Sequence, residues 1–262
     1  MSIPNKITSN TEENLNNTVY FTANQLKISY SSLDIFKQYL IKLFNQEIRL
    51  EEKLKQCRKF FSLILKELYK KGILKEDHTM VITDPIVRMP IFSEALKAAF
   101  EITINSKITI TKPSKVKILK RRILTALFIK KRHPIKDFYK LLSLKGSVHS
   151  SVLNQFIDLE NHSLVKFKAT KELEEYIINI LTRTALLSQG CSIYTLNMYI
   201  EIIIEIVIWY TRSIAIAENT NEASPDMLST AITLVDNHYI TNPAFIKMLQ
   251  GKLIGHIIKI LN

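Results

Sequence analysis

The chain has 262 residues, of which 47% are hydrophobic, and it contains five glycines and seven prolines. This composition excludes wholesale disorder and leaves room for one large domain or two smaller ones. Since sheet-rich folds use glycine in their turns, its scarcity favours helices. Cys57 and Cys191 show neither disulfide nor metal-ligand spacing. That pattern, with an N-terminus that lacks an apolar signal segment, predicts a cytoplasmic location.

The net charge of +12 is concentrated in one part of the chain. Residues 102–157, the basic segment, contain 13 basic side chains and a single acidic one, Asp137. Residues 158–236, the acidic segment, contain 5 basic and 11 acidic side chains. A local positive field suits phosphates or anionic lipid. The alternative is that the basic segment pairs with the acidic segment inside one fold.

Residues 1–17 are rich in Asn, Thr, Ser and Glu and are predicted to form a disordered tail. The first helix is predicted to begin near Ser31, which resembles a capping box with Asp34. A second helix is predicted over 46–71, ended by Gly72 in the left-handed conformation. Its apolar spacing of four and three favours an antiparallel helical hairpin over a dimerising coiled coil. The residues of this seam are Leu50, Leu54, Cys57, Phe61, Ile64 and Leu68.

Short elements are predicted between this helix pair and the basic segment. A strand is predicted at 80–82, and Pro85 and Pro90 are expected to bracket a loop before a helix over 91–100. The alternation of Ile and Thr over 102–110 predicts a small β-hairpin, because β-branched side chains favour strands.

From Thr170 onward the chain is predicted to be entirely helical. Thr170 and Ser192 are expected to cap helices. Ser224 and Asn242 each precede a proline, which is the pattern of an N-cap followed by proline at the first helical position.

The apolar helix over 193–218 has the length to span a bilayer. Glu201 and Glu205 lie in its middle and share a face with Met198 and Arg212. A buried helix with one polar edge is therefore expected, and membrane association is not.

No catalytic motif is present in the sequence. There is no glycine-rich phosphate loop and no G-x-S-x-G, and the six histidines lack the spacing of metal ligands. Glu201 and Glu205 are one helical turn apart, but no matching histidines support a di-metal site. The expectation is a non-enzymatic protein without catalytic residues, metal or cofactor.

Three short helices are predicted at 116–131, 134–143 and 147–160, followed by a strand-like stretch at 164–167. Three stretches define the apolar pattern of this region: Ile135-Lys-Asp-Phe-Tyr-Lys-Leu-Leu-Ser-Leu, Val148-His-Ser-Ser-Val-Leu-Asn-Gln-Phe-Ile-Asp-Leu-Glu and Ser163-Leu-Val-Lys. Over about residues 116–167 this pattern resembles a winged helix-turn-helix of MarR-like regulators. In that family the second stretch is the recognition helix and the third begins the wing. Here Lys168 leads directly towards a predicted helix, so the wing is expected to be very short or absent.

The resemblance implies two sets of binding residues. If the third helix buries Val148, Val152 and Phe156, it presents short polar groups to base edges in the major groove. These base-reading candidates are His149, Ser150, Ser151, Asn154 and Gln155. Phosphate contacts, which give affinity without reading sequence, are expected from cations of the first two helices. These are Lys115, Lys117, Lys120, Arg121, Arg122, Lys130, Lys131, Arg132, Lys136 and Lys140.

The expected fold is mainly α, with helical bundle regions flanking a small winged-helix-like three-helix module and minor β content. The predicted parts are the tail, an N-terminal helical region over 18–101, the basic module over 102–169 and a C-terminal helical bundle over 170–262. The expected function is nucleic-acid binding, with duplex DNA as partner and a regulatory role, and with the flanking helices used either to form a homodimer or to contact a protein partner. The alternative is a helical scaffold whose basic face binds an acidic protein or an anionic membrane surface.

Overall fold

The protein is mainly α-helical, with two small two-stranded antiparallel sheets in the part of the chain that the structure describes. The computed structural model describes residues 18–22, 26–75, 81, 85–106, 123, 126, 135–168, 171–187 and 192–241. The chain forms two compact units. Unit 1 consists of Met1–Ile110 and Ile178–Asn197, and unit 2 of Thr111–Ile177 and Met198–Asn262.

The elements of the described residues follow one another in a simple order. The strands are β1 (Thr18–Tyr20), β2 (Lys27–Ser29), β3 (Ser147–Ser150) and β4 (Gln155–Asp158). The helices are α1 (Tyr30–Phe44), α2 (Leu50–Lys70), α3 (Pro85–Ile104), α4 (Ile135–Ser143), α5 (Leu159–Leu164), α6 (Lys171–Thr182), α7 (Thr184–Leu187), α8 (Ile193–Ala217) and α9 (Pro225–Val235). A π-helical segment, Asp236–Ile240, continues α9.

Helix α1 begins where the sequence predicts, but its capping residue is different. The N-cap is Ser29, whose backbone is extended and whose Oγ accepts a hydrogen bond from the Ser32 N–H at 3.2 Å. The predicted capping box of Ser31 and Asp34 is wrong, because Ser31 already lies within the helix. At the other end, Lys53 of α2 donates from Nζ to the Phe44 carbonyl oxygen at 2.6 Å.

The predicted apolar seam of α2 is confirmed as part of the core of unit 1. All six seam residues are buried except Leu50, which is partly buried. Phe21, Phe36 and Phe61 meet there, with ring centroids of each pair 5.3–5.8 Å apart. Gly72 has φ +71, so the predicted left-handed end of the helix is also confirmed.

The region around α3 corrects two predictions. Helix α3 begins at Pro85 and contains Pro90, so the predicted loop between these prolines is wrong. Residues 102–104, predicted as half of a β-hairpin, form the last turn of the same helix. Thr103 is fully buried and its Oγ1 donates to the Ala99 carbonyl oxygen at 2.7 Å, so packing and this bond override its strand propensity. Residues 108–110 lie outside the described residues.

The helices after residue 170 follow the predicted pattern. Ser192 Oγ accepts from the Thr195 N–H at 3.1 Å at the start of α8. Ser224 is the N-cap of α9 and Pro225 occupies the first helical turn. The predicted tail over 1–17, the cap at Thr170 and the helix start at Asn242 lie outside the described residues.

The long apolar helix α8 contributes mainly buried side chains. Glu201, Glu205 and Arg212 are partly buried along it, as expected of a helix with one polar edge. Within the described ranges, no helix has the combination of length and apolarity needed to cross a membrane.

Candidate nucleic-acid interface

The predicted recognition helix over 147–160 is wrong: this stretch is a β-hairpin followed by a short helix. Strands β3 and β4 pair antiparallel, with Val148 opposite Ile157 and His149 opposite Phe156. Helix α5 begins only at Leu159. The predicted second helix, over 134–143, is confirmed as α4.

The backbone at both ends of β3 explains why a hairpin forms here. Leu144 and Gly146 have φ values of 54° and +73°, so the chain leaves α4 through left-handed conformations instead of entering another helix. The turn between the strands ends at Asn154, whose φ is 51°. Asparagine tolerates this conformation better than most residues do. Ser150 Oγ accepts from the Leu153 N–H at 3.2 Å and closes the turn.

The side-chain spacing that predicted a helix has a second explanation. The spacing of four residues between Val148, Val152 and Phe156 fits one face of a helix. In the hairpin, however, the turn separates Val148 from Phe156, and the two side chains lie on opposite faces of the strand pair. Even-numbered residues of β3 pair with odd-numbered residues of β4. Val148 and Ile157 are therefore buried together, whereas Phe156 faces outward and is 73% exposed.

The base-reading candidates are consequently distributed over the hairpin. His149 and Ser151 are exposed, Gln155 is partly buried, and Asn154 is exposed at the end of the turn. Ser150 is fully buried and is engaged with the turn backbone. Ser150 therefore has a structural role in the hairpin, and the base-reading role of the other four stays a prediction.

Most of the phosphate-contact candidates lie outside the described residues. These are Lys115, Lys117, Lys120, Arg121, Arg122, Lys130, Lys131 and Arg132. Of the predicted helix over 116–131, Ile123 and Ala126 are described and both are helical. Lys136 and Lys140 lie on α4.

Lys140 joins α4 to the hairpin. Its Nζ donates to the Ser147 carbonyl oxygen at 3.0 Å and lies 3.8 Å from Asp137 Oδ1. The Lys140 side chain remains 46% exposed, whereas that of Asp137 is 8% exposed. Since Asp137 is the single acid of the basic segment, no acidic side chain of that segment is exposed.

The outward face of the hairpin carries an aromatic pair. The rings of His149 and Phe156 lie directly across the two strands, with centroids 5.1 Å apart in an edge-to-face arrangement. The sequence analysis did not predict this pair. A signal for a β-hairpin was present, because Gly146 and Asn154 are turn-forming residues that each precede a short stretch with strand-like alternation.

The stretch that was predicted to begin the wing does not pair with the hairpin in the described structure. Leu164 ends α5, and Lys166 forms an isolated parallel bridge with Glu222. The Lys166 N–H donates to the Asn221 carbonyl oxygen at 2.9 Å. Over residues 163–168 the described chain therefore contains the end of α5 and this single bridge.

Two ion pairs join residues of the acidic segment to each other. Lys168 Nζ lies 3.6 Å from Glu222 Oε1, and Lys171 Nζ lies 3.8 Å from Glu175 Oε1. All four side chains are at least 60% exposed, so each pair contributes little to stability.

Across the ranges that the structure describes, His, Cys, Asp and Glu side chains form no group suited to hold a metal ion. Burial raises the pKa of the Cys57 thiol to about 12, so this cysteine is unreactive in the fold.

Comparisons with known proteins assign no family to this chain. Neither protein-family models, nor curated proteins, nor solved structures give a match to this chain.

Proposed function

We propose that this chain binds nucleic acid through the basic segment, with duplex DNA as the main partner and regulation as its role. The observation that carries the proposal is the burial of the one acidic residue in this segment. Asp137 is buried beside Lys140, so the 13 basic side chains of residues 102–157 are not offset by an exposed acid of their own segment. Such a one-sided charge attracts the phosphate backbone.

The order of elements in unit 2 supports a revised assignment within the winged-helix resemblance. Helix α4 is followed at once by the two-stranded hairpin β3–β4, which is the order of a recognition helix and its wing. We therefore assign the recognition role to α4 and the wing role to the hairpin, one element earlier than the sequence pattern indicates. The contact of Lys140 with Ser147 holds the two elements together.

Binding to a labelled blunt-ended DNA duplex, measured by fluorescence anisotropy over a series of salt concentrations, tests the proposal. We expect log K to fall linearly with log salt. Replacing Arg121, Arg122, Lys130 and Lys131 together with Ala is expected to weaken binding on every duplex sequence. The salt slope should decrease by about one for each phosphate that the variant no longer neutralises.

A matched control removes the same charge from unit 1. Lys66, Lys70, Lys71 and Lys75 are all exposed, so replacing them with Ala also lowers the net charge by four. This control is expected to leave duplex binding nearly unchanged. Binding that is absent at low salt, independent of salt, or equally weakened by both variants contradicts the proposal. Capture of an acidic protein that survives nuclease treatment would instead favour the scaffold alternative.

A further inference from the structure

The outward face of the β3–β4 hairpin exposes an aromatic ring that the core does not use. Phe156 is 73% exposed, whereas its strand neighbour Ile157 is fully buried. The exposed ring is supported on one edge by His149, at a centroid distance of 5.1 Å. A phenylalanine that is 73% exposed gains little from the hydrophobic effect in the isolated chain, so a partner that covers it would stabilise the complex.

The backbone around this aromatic pair is held by several hydrogen bonds. Ser150 Oγ closes the turn through the Leu153 N–H, and the Leu159 N–H donates to the Gly146 carbonyl oxygen at 3.0 Å. Lys140 Nζ joins the start of β3 to α4 at 3.0 Å. A ring on such a framework is oriented before a partner arrives, so binding costs little ordering entropy.

The charges around the pair suit a nucleic-acid strand. Lys140 and Lys145 are exposed next to the start of β3. The nearest acid along β4, Asp158, is engaged as the N-cap of α5, where its Oδ1 accepts from the Glu160 N–H at 3.0 Å. Its Oδ2 accepts from Asn161 Nδ2 at 3.0 Å. Glu160 is the exposed acid that remains nearby in sequence.

We propose that the Phe156–His149 pair stacks on an unpaired base, so that the partner is a duplex with unpaired nucleotides beside it. This inference rests on the proposed function, since the cations of the basic segment hold the phosphates. In a duplex the faces of the bases are covered by their neighbours, whereas an unpaired base offers its face to an aromatic ring. Lys140 joins the start of the hairpin to α4, where the duplex is expected to lie.

The test compares three labelled probes at one salt concentration. They are a blunt-ended duplex, the same duplex with a single-stranded overhang, and the overhang strand alone. We expect the overhang duplex to bind about tenfold more tightly than the blunt duplex, because base–aromatic stacking adds to the phosphate contacts. Phe156→Ala is expected to remove this preference, so that the overhang duplex and the blunt duplex bind the variant with equal affinity.

A replacement that keeps the aromatic face serves as the matched control. Phe156→Trp is expected to retain the preference, and its added emission should be quenched when the overhang duplex binds. The chain's own tryptophan, Trp209, is 7% exposed and supplies a constant background.

The outcomes separate this inference from the proposed function. If the blunt duplex binds but Phe156→Ala changes neither probe, the stacking proposal is overturned and the proposed function stands. If no probe binds, both fail. If Phe156→Ala abolishes self-association of the chain and not the overhang preference, the exposed ring belongs to a protein contact and the stacking proposal is again overturned.

Discussion

His162 shows how much a single residue depends on its surroundings. Its ring is buried, and its Nε2–H donates to the Trp209 carbonyl oxygen at 2.9 Å. Burial lowers its pKa from 6.5 to about 4, with a smaller contribution from the positive charge of Arg212, although the bond to the carbonyl acts in the opposite direction. The neutral imidazole therefore belongs to the folded state. No sequence pattern distinguishes this histidine from the other five.

Protonation of His162 is expected to destabilise the fold in mildly acidic solution. Below pH 6.5 the unfolded chain binds a proton at this position, whereas the folded chain does not until the pH approaches about 4. The contribution of the neutral His162 side chain to the free energy of unfolding is thus fully present above pH 6.5 and is lost as the pH falls towards 4. Between pH 7 and pH 5 we expect a loss of roughly 2 kcal/mol in the free energy of urea unfolding.

His162→Gln isolates this contribution, because its amide can donate to the same carbonyl and does not titrate. The variant should lose less stability than the wild type between pH 7 and pH 5, by roughly 2 kcal/mol. Identical pH dependence in the wild type and His162→Gln would contradict the assignment.

At the scale of elements, helices were predicted well where apolar spacing and end signals agreed. Helix α2 has both a long apolar seam and Gly72, and α9 has Ser224 followed by proline. The helix predicted over 147–160 from its apolar spacing is wrong. A separation of four residues fits a helix face, but it also fits alternate positions of a strand. The buried pair of Val148 and Ile157 decides between these two patterns.

In the hairpin Ile157 is buried and Phe156 is exposed, so Ile157 should contribute more to stability than Phe156. A helix that buries Phe156 would give the opposite order. Ile157→Ala is expected to cost about 2–5 kcal/mol, because it leaves a cavity beneath the strand pair. Phe156→Ala is expected to cost less than about 1 kcal/mol, since it removes only a cross-strand contact with His149. Urea unfolding of the two variants measures both values. A larger loss for Phe156→Ala than for Ile157→Ala would restore the helical interpretation.

At the scale of the whole molecule, each unit is assembled from separate parts of the chain. Unit 1 takes Ile178–Asn197 from far along the sequence. Within that unit, the Tyr194 N–H donates to the Phe21 carbonyl oxygen at 2.9 Å, and Cys57 Sγ lies 3.6 Å from Asn197 Oδ1. The division predicted from sequence follows the chain in order and stays a prediction.

A fragment of residues 1–110 is therefore expected to lack a stable core. Cys57 is its single cysteine and reports on folding. In the fragment this thiol should react with a disulfide reagent at the rate of an unfolded peptide. In the full chain carrying Cys191→Ser it should react at least roughly a hundredfold more slowly, because burial raises its pKa and removes access. Mixing in fragment 111–262 is expected to restore protection, whereas protection in fragment 1–110 alone would contradict this account.

The sequence by itself determined the properties that local physics controls: the helical class, the C-terminal end of α2, the N-terminal end of α9, and the concentration of positive charge in residues 102–157. It also identified the region where binding is expected. Only the tertiary structure decided that Asp137 is buried, that residues 147–158 form a hairpin, and that Phe156 faces outward. The physical reason is that the period of an apolar pattern indicates only which local element the segment favours. Strand pairing and burial also depend on residues that are distant in the chain. For that reason the basic segment was recognisable from its residues, but its helix-and-hairpin arrangement was not.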